Sequence, residues 1–245
     1  MARWPRLIAP GLPIHITQRG HNQDRTFLDE LDFACYRECL LESSRRYACA
    51  IHAYALMSNH VHMLVTPRGV GSAANLMRSI GSRYVRYWNK RHRRTGTLWE
   101  GRFRSALVGD DQYLLRCCRY IDMNPVKAGI VHHPAEYEWS SYRALALGDR
   151  DELVSPHPTY TALDTITEAR RASYAAYCAE QLDEARVLEI RRATRGGTAL
   201  GNSARLDDLE RHLNRPVRRL AHGGDRRHHQ SSWIAVTGLA QLRCH

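Results

Sequence analysis

The most constraining feature of the sequence is a pair of apolar runs separated by only two polar residues. The runs are Cys49–Met57 ("CAIHAYALM") and His60–Pro67 ("HVHMLVTP"), and the Ser-Asn pair between them is a turn-forming dipeptide. A connection this short makes neighbouring strands pair as an antiparallel β-hairpin. The chain is therefore expected to build its core around a sheet that contains this hairpin.

Further strands and helices flank the hairpin in a regular order. Apolar periodicity and capping residues predict strands at 12–20 and 98–108, and helices at 26–47, 73–91 and about 110–124. The resulting order is β-α-β-β-α-β-α. This order favours the α+β class, with a ferredoxin-like antiparallel sheet and helices on one of its faces.

The character of the sequence changes after residue 145, and three regions are expected. Residues 1–145 would form one domain, and residues 146–220 a mainly helical accessory region. Helices are predicted at about 168–192 and 206–213, with a break at the basic, glycine-rich segment "RRATRGGTALGN". Residues 221–245 are expected to be a disordered tail.

The charge of the chain indicates a polyanionic partner. The net charge is +11, from 36 Lys and Arg against 25 Asp and Glu, and the only lysines are Lys90 and Lys127. Arginine forks match phosphate geometry, so nucleic acid is the natural partner. A GC-rich genome, which favours arginine codons whatever the function, is the alternative explanation. No apolar run approaches the roughly 20 residues needed to cross a bilayer, so no membrane partner is expected and the protein should be cytoplasmic.

Two histidines, His60 and His62, lie one residue apart in the second run of the hairpin. Strand residues two apart share a face, so the two imidazoles would project side by side. Imidazole is the commonest metal ligand, and the pair could be half of a metal site or simply face water. A metallohydrolase H-x-H-x-D-H motif is excluded, because Leu64 and Val65 occupy the positions that it needs. Three other histidines are expected to be structural or surface residues: His15, His52 and His92.

The third predicted helix carries a candidate nucleophile. Tyr120 and Asn124 are four residues apart and therefore lie on one helical face. A phenolate can hold a phosphoryl group covalently, and the Asn124 amide could be an oxygen ligand of a divalent ion that polarises a phosphate. The alternative is that Tyr120 is only a half-buried helix aromatic. Tyr113, seven residues earlier on the same face, is a rival nucleophile but lacks the amide partner.

Basic residues in three places could bind DNA. In residues 82–94, arginines interleave with aromatics, an arrangement suited to phosphate contacts and base stacking. We expect the aromatics to pack inward and the charges to face a nucleic-acid backbone. Arg102 and Arg104 would share a strand face as phosphate contacts or as a surface ion-pair ladder. The predicted DNA-binding residues are Arg19, Arg83, Arg86, Lys90, Arg93, Arg94, Arg102 and Arg104.

Four segments together resemble a known family. They are "MSNHVHMLV", "LWEGRFRSALV", "RYIDMNPVKAGIV" and "YEWSSYRA". In order and spacing they resemble the HUH single-tyrosine transposases, and more closely the REP-associated tyrosine transposases. The resemblance runs from residue 12 to about residue 145, and no single motif carries it.

The resemblance implies a specific chemistry. His60 and His62 would bind one Mg²⁺ or Mn²⁺ ion, with Asn124 as the third ligand. Tyr120 would attack a phosphate in single-stranded DNA, leaving a 5′-phosphotyrosine link and a free 3′-OH. The implied substrate carries REP hairpins beside a short guide sequence. Related single-tyrosine transposases can be dimers that exchange the tyrosine helix, whereas the REP-associated ones tend to be monomeric. The resemblance therefore implies a monomer rather than a homodimer, in association with the nucleoid.

Two other functions stay open at this point. The chain could be a DNA-hairpin-binding protein without catalysis, acting structurally or in regulation. It could also be a metal-dependent nuclease that uses water, in which case Tyr120 would be dispensable while His60 stayed essential.

Overall fold

The computed structural model describes residues 5–181 and 183–218. Its strands are β1 (Ile14–Arg19), β2 (Cys49–Met57), β3 (His60–Pro67), β4 (Arg104–Val108) and β5 (Ala199–Leu200). Its α-helices are α1 (Glu30–Arg46), α2 (Ser72–Arg91), α3 (Asp111–Asp122), α4 (Asn124–Lys127), α5 (Pro158–Thr161), α6 (Thr167–Ala179), α7 (Glu184–Gly196) and α8 (Ser203–Leu213). Short 3₁₀ turns occupy His21–Gln23 and Pro134–Glu136, and a π-helical turn occupies Arg143–Leu147. The predicted tail at 221–245 lies outside the described residues.

The strands form one sheet in the order β2-β3-β1-β4-β5. The predicted hairpin is confirmed, with β2 antiparallel to β3 from the Met57–His60 pair onward. β1 pairs antiparallel with both β3 and β4, which gives the predicted ferredoxin-like order for the first four strands. The α+β class is therefore confirmed. The fully antiparallel sheet is not, because β5 joins β4 in parallel.

Helices α1 and α2 cover one face of this sheet. Ile14 and Ile16 of β1 are fully buried on this side, together with Tyr84 and Trp88 of α2. The inward packing of the α2 aromatics matches the sequence prediction. Asp29 caps α1 by accepting hydrogen bonds from the first-turn amides, and it therefore defines where the helix begins.

The opposite face is covered as well, by α3, α7 and the buried side chains of α6. The prediction of helices on one face is right for α1 and α2 and wrong for the sheet as a whole. β2 shows the physical reason, because nearly every one of its residues is apolar and buried. Such a strand has to be covered on both sides. No described helix has the length and apolarity to span a membrane.

Three predicted boundaries differ in the structure. The helix predicted at 168–192 is two helices, because Asp183 accepts hydrogen bonds from the amides of Ala185 and Arg186 and starts α7. The predicted break in "RRATRGGTALGN" comes only at Gly197, whose φ of 72° ends α7 in the left-handed region. The strand predicted at 98–108 begins only at Arg104, so Arg102 precedes β4.

His52 generates a prediction about pH and stability. Its Nδ1 donates to the backbone carbonyl of Ser155 at 2.7 Å, and its Nε2 accepts from Thr66 Oγ1 at 2.8 Å. Burial lowers the pKa of His52 to about 4, and the neighbouring His157 ring also disfavours a charge on it. Unfolding therefore takes up a proton at this site as the pH falls below the ordinary histidine value. The stabilisation is present above pH 6.5 and is lost as the pH falls toward 4.

We expect His52→Gln to flatten the pH dependence of the free energy of unfolding by up to about 1.4 kcal/mol per pH unit in that window. Urea denaturation of both proteins between about pH 4.5 and about pH 7 measures this slope. His21→Gln, at an exposed histidine, is the matched control and should keep the slope of the unsubstituted protein. Identical slopes for all three proteins would contradict the prediction.

Candidate active site

His60 and His62 begin β3 and point to the face of the sheet that α3 and α7 cover, here called the histidine face. Their ring centroids lie 5.0 Å apart, and the rings are nearly perpendicular. Val61 and Met63 point to the other face and are buried there. The predicted shared face is therefore confirmed. The alternative that both rings simply face water is wrong, because His62 is only 5% exposed.

Hydrogen bonds fix the proton position on His60. The Nδ2 of Asn59 donates to the backbone carbonyl of Gln23 at 2.9 Å, which leaves Asn59 Oδ1 as an acceptor. His60 Nδ1 lies 2.6 Å from that oxygen and therefore donates to it. The Nε2 of His60 then carries a free lone pair, the form of imidazole that binds a metal ion.

A longer chain of hydrogen bonds fixes the proton position on His62. The hydroxyl of Thr194 donates to the backbone carbonyl of Ile190 at 2.8 Å, so it accepts from His15 Nδ1, also at 2.8 Å. His15 Nε2 must then accept from His62 Nδ1, which lies 3.1 Å away. The Nε2 of His62 is thus left with a free lone pair, as in His60.

Electrostatics keep both imidazoles neutral. Burial, followed by the positive charges of Arg19 and Arg191, lowers the pKa of His60 to about 4. Burial and the neighbouring histidines and arginines hold the pKa of His62 well below its usual value. Two neutral imidazoles with free Nε2 atoms fit a first-row divalent ion such as Mn²⁺ better than Mg²⁺, which prefers oxygen ligands.

The protein supplies few further ligands of the usual kinds. Within residues 5–181 and 183–218, no three or more His, Cys, Asp or Glu side chains gather as a metal-binding group. An ion held by His60 and His62 would thus need an amide or phenol oxygen, water or a substrate phosphate to complete its coordination.

Tyr120 is the aromatic side chain that α3 brings to the histidines. Its ring centroid lies 5.4 Å from that of His62 and 5.6 Å from that of His15, edge-on to both. The side chain is 5% exposed. Tyr113, the rival, points elsewhere and donates its hydroxyl to Glu189 Oε1 at 2.6 Å. The geometry therefore favours Tyr120 as the nucleophile candidate.

Asn124, the predicted third ligand, contacts the end of α3. Its Nδ2 donates to the backbone carbonyl of Tyr120 at 2.7 Å and lies 3.5 Å from that of Ile121. The amide nitrogen thereby satisfies a carbonyl that the helix end leaves without an intrahelical partner. The role of Asn124 as a metal ligand stays a prediction.

A buried carboxylate anchors the turn of α3 that carries Tyr120. Asp122 is 0% exposed, and it accepts hydrogen bonds from Ser141 Oγ at 2.5 Å and Tyr174 Oη at 2.7 Å. Ser141 in turn donates its backbone amide to Tyr54 of β2 at 2.9 Å. Burial raises the pKa of Asp122 to about 7, although the two hydrogen bonds oppose the shift. The carboxylate thus ties α3 to the sheet and to α6.

Three arginines surround the histidine face. Arg19 lies opposite His60 in the β1–β3 register. Arg104 lies opposite Thr17, which in turn lies opposite His62, so the three share one row across the sheet. The Nε of Arg191, from α7, lies 3.5 Å from Tyr120 Oη. Such a ring of cations is suited to binding a phosphate.

The other predicted DNA-binding residues lie farther from the histidines. α2 belongs to the helix layer on the opposite face. It follows β3 in the chain and runs back along the sheet, so the basic group of Lys90, Arg93 and Arg94 lies toward the end where β3 begins. Arg83 pairs with Glu42 at 2.5 Å on the surface, and Arg86 is exposed. Arg102 is exposed just before β4. DNA binding by these residues stays a prediction.

Comparison with known proteins agrees with this geometry. Residues 10–124 match the family model described as "Transposase IS200 like". The resemblance seen in the sequence is confirmed. The matched segment contains the histidine pair, Tyr120 and Asn124, and the match supports a transposase-type, DNA-processing function. No curated protein matches the chain significantly.

Among solved structures, the chain is similar to the REP-associated tyrosine transposase bound to a REP hairpin. The TM-score is 0.53 at 19% identity, over 64% of this chain and 93% of that one. This likeness concerns the fold. A proposed transposase from Deinococcus radiodurans R1 matches at a TM-score of 0.34 and 16% identity, over 46% of this chain and 91% of the other. A tRNA(His) guanylyltransferase from Saccharomyces cerevisiae matches at 0.34 and 14%, over 73% and 82%. At these scores the last two carry no argument.

Sequence reasoning missed four residues of the site: His15, Asn59, Arg191 and Thr194. Asn59 directly precedes His60, and its amide could have been noticed there. His15 alternates with isoleucines in β1, which placed it on the correct strand but not beside His62. Nothing in the sequence relates α7 to the histidines, because their contact joins segments 179 residues apart.

We expect Asp122→Ala to lower the free energy of unfolding by about 2–4 kcal/mol, because two buried hydroxyls lose their acceptor. Denaturant unfolding measures this loss. The matched control is Asp149→Ala, which removes a half-exposed ion pair with Arg143 and should cost less than about 1 kcal/mol. An equal, small effect of both substitutions would show that Asp122 does not anchor α3.

Proposed function

We propose that the protein cleaves and rejoins single-stranded DNA next to a hairpin, with Tyr120 as the nucleophile. One observation carries the proposal above all. The Tyr120 ring packs against His62, whose Nε2 is left free by its hydrogen bonds, on a face ringed by arginines. A candidate nucleophile, two candidate metal ligands and positive charges suited to phosphate therefore lie on one face of the sheet.

The reaction is a transesterification. The phenolic oxygen of Tyr120 forms a bond to phosphorus, and the bond between phosphorus and the 3′-oxygen breaks. The 5′-phosphate stays on the tyrosine, and the phenolic proton ends on the released 3′-oxygen. Attack by another 3′-OH reverses the step and rejoins strands, because the phosphodiester bond is exchanged and not hydrolysed.

A divalent ion held by the Nε2 atoms of His60 and His62 would polarise the phosphate and offset its charge. The protein itself orients the nucleophile and the two imidazoles. Asp122 holds the Tyr120 turn, while Asn59 and His15 hold the two imidazoles. Arg19 and Arg104 are placed to contact the DNA backbone on the same face.

The proposed partner is hairpin DNA. The similar transposase is, by its description, bound to a REP hairpin, and the net charge of +11 on this chain suits the same class of ligand. The basic group at the end of α2 would extend the binding surface around the sheet end. We propose that one chain acts alone, as a monomer, in association with the nucleoid.

Covalent trapping tests the nucleophile. Incubated with labelled single-stranded hairpin DNA and Mn²⁺ or Mg²⁺, the protein should give a protein–DNA adduct on a denaturing gel. Tyr120→Phe should abolish the adduct, since only the phenolic oxygen is lost. Tyr113→Phe, which removes the rival hydroxyl and its contact with Glu189, should still form the adduct.

Three outcomes would contradict the tyrosine mechanism. Cleavage that persists in Tyr120→Phe without any adduct points to a nuclease that uses water. If Tyr113→Phe loses the adduct and Tyr120→Phe keeps it, the nucleophile is Tyr113. DNA binding without cleavage in the presence of either metal ion would mean that the protein binds hairpins without catalysis.

The hydrogen bond from His60 to Asn59 generates a prediction about metal affinity. Asn59→Ala removes the acceptor that orients the imidazole, and we expect Mn²⁺ binding to weaken by about 10-fold. Asn59→Asp keeps an acceptor for His60 Nδ1, although it loses the donation to the Gln23 carbonyl, and should weaken binding less than Asn59→Ala does. Isothermal titration calorimetry on the DNA-free protein measures both. Equal affinities for the Ala and Asp variants would show that His60 is not a ligand oriented by this contact.

A further inference from the structure

Helix α7 reaches the active site although it lies outside residues 10–124, the segment that matches the transposase family. Its Arg191 places Nε 3.5 Å from Tyr120 Oη. The guanidinium thus lies next to the hydroxyl of the candidate nucleophile.

The position of α7 is fixed on two sides. Thr194, one turn after Arg191, is buried and hydrogen-bonded to His15 of β1 at 2.8 Å. Glu189 accepts the hydroxyl of Tyr113 at 2.6 Å, which binds α7 to the same helix that carries Tyr120. The helix therefore cannot slide or rotate without breaking a buried hydrogen bond, and Arg191 is held in register with Tyr120.

The charge of Arg191 is available to a ligand. In the described part of the chain, no carboxylate forms an ion pair with it, whereas Arg186 on the same helix pairs with Asp183 and Glu189. The side chain belongs to an exposed residue whose guanidinium turns toward the buried Tyr120 hydroxyl. A guanidinium beside a nucleophilic oxygen, with donors to spare, is arranged to bind an anion there.

We propose that Arg191 is a catalytic residue of the DNA cleavage step. This inference rests on the proposed tyrosine mechanism and adds a residue to it. Loss of the phenolic proton leaves negative charge on the Tyr120 oxygen, and attack on phosphorus shifts that charge onto the oxygens of the phosphate. Arg191 donates to these oxygens and stabilises the charge where it develops. Thr194 is a positioning residue, which acts through His15 and through the placement of α7.

With Arg191 in this role, the catalytic unit extends beyond the family-matching segment. The family-matching segment alone would carry the nucleophile and the histidines but lack this guanidinium. The helical region after residue 145 is then part of the active site and not only an accessory unit.

The test compares Arg191→Ala with Arg192→Ala, which removes the same charge from the adjacent, exposed position on α7. Single-turnover cleavage of hairpin DNA gives the rate constant, and titration without metal gives the DNA dissociation constant. Arg191→Ala should lower the rate constant by about 100-fold, the cost of losing one preorganised charge-stabilising donor. Both variants should weaken DNA binding by the same few-fold factor. Arg191→Lys or added guanidinium ion should restore part of the lost rate.

The outcomes separate the two proposals. Equal rate constants for the two variants, with adduct formation intact, would overturn the role of Arg191 and leave the tyrosine mechanism standing. A large loss of DNA affinity confined to Arg191→Ala, with an unchanged rate constant at saturating DNA, would make it a binding residue and overturn its catalytic role. If the unsubstituted protein forms no adduct, the proposed function falls and this inference falls with it.

Discussion

The hydrogen-bonded chain from Thr194 through His15 to His62 joins the three elements that make the site. It crosses from α7 to β1 and on to β3, and every member of it is buried. Donation of the Thr194 hydroxyl to the Ile190 carbonyl favours one order of the protons along this chain. The free Nε2 of His62 follows from that order. A substitution at Thr194 would disturb the proton position on the His62 imidazole, although the two residues belong to different regions of the chain.

The two faces of the sheet serve different purposes. Helices α1 and α2 bury large side chains on one face and give the strands a rigid support. On the histidine face, small residues such as Ala53, Ala55 and Ala106 let α3 approach closely. That approach brings the Tyr120 ring into contact with His62 and His15. The position of the Tyr120 ring thus depends on alanines that have no polar side-chain group.

Much of the fold was predictable because it depends on local patterns. A two-residue turn between apolar runs predicted the β2–β3 hairpin. The alternation of side chains along a strand predicted that His60 and His62 share a face. The His15–His62 contact was not predictable, because it depends on the register between strands whose contacting residues are 47 positions apart. β5 is two residues long, too short for any alternation to show. Arg191 was missed for a similar reason, since only the packing of α7 brings it to Tyr120.

The central claim is that the free Nε2 atoms of His60 and His62 hold one divalent ion beside Tyr120. The most direct measurement is a crystal structure of the protein with Mn²⁺, with the ion located by its anomalous scattering. The account predicts a single strong peak in coordination contact with both Nε2 atoms, next to the Tyr120 ring. A peak bound through a different pair of residues, or no peak at the histidine face at a Mn²⁺ concentration that supports DNA cleavage, would contradict it.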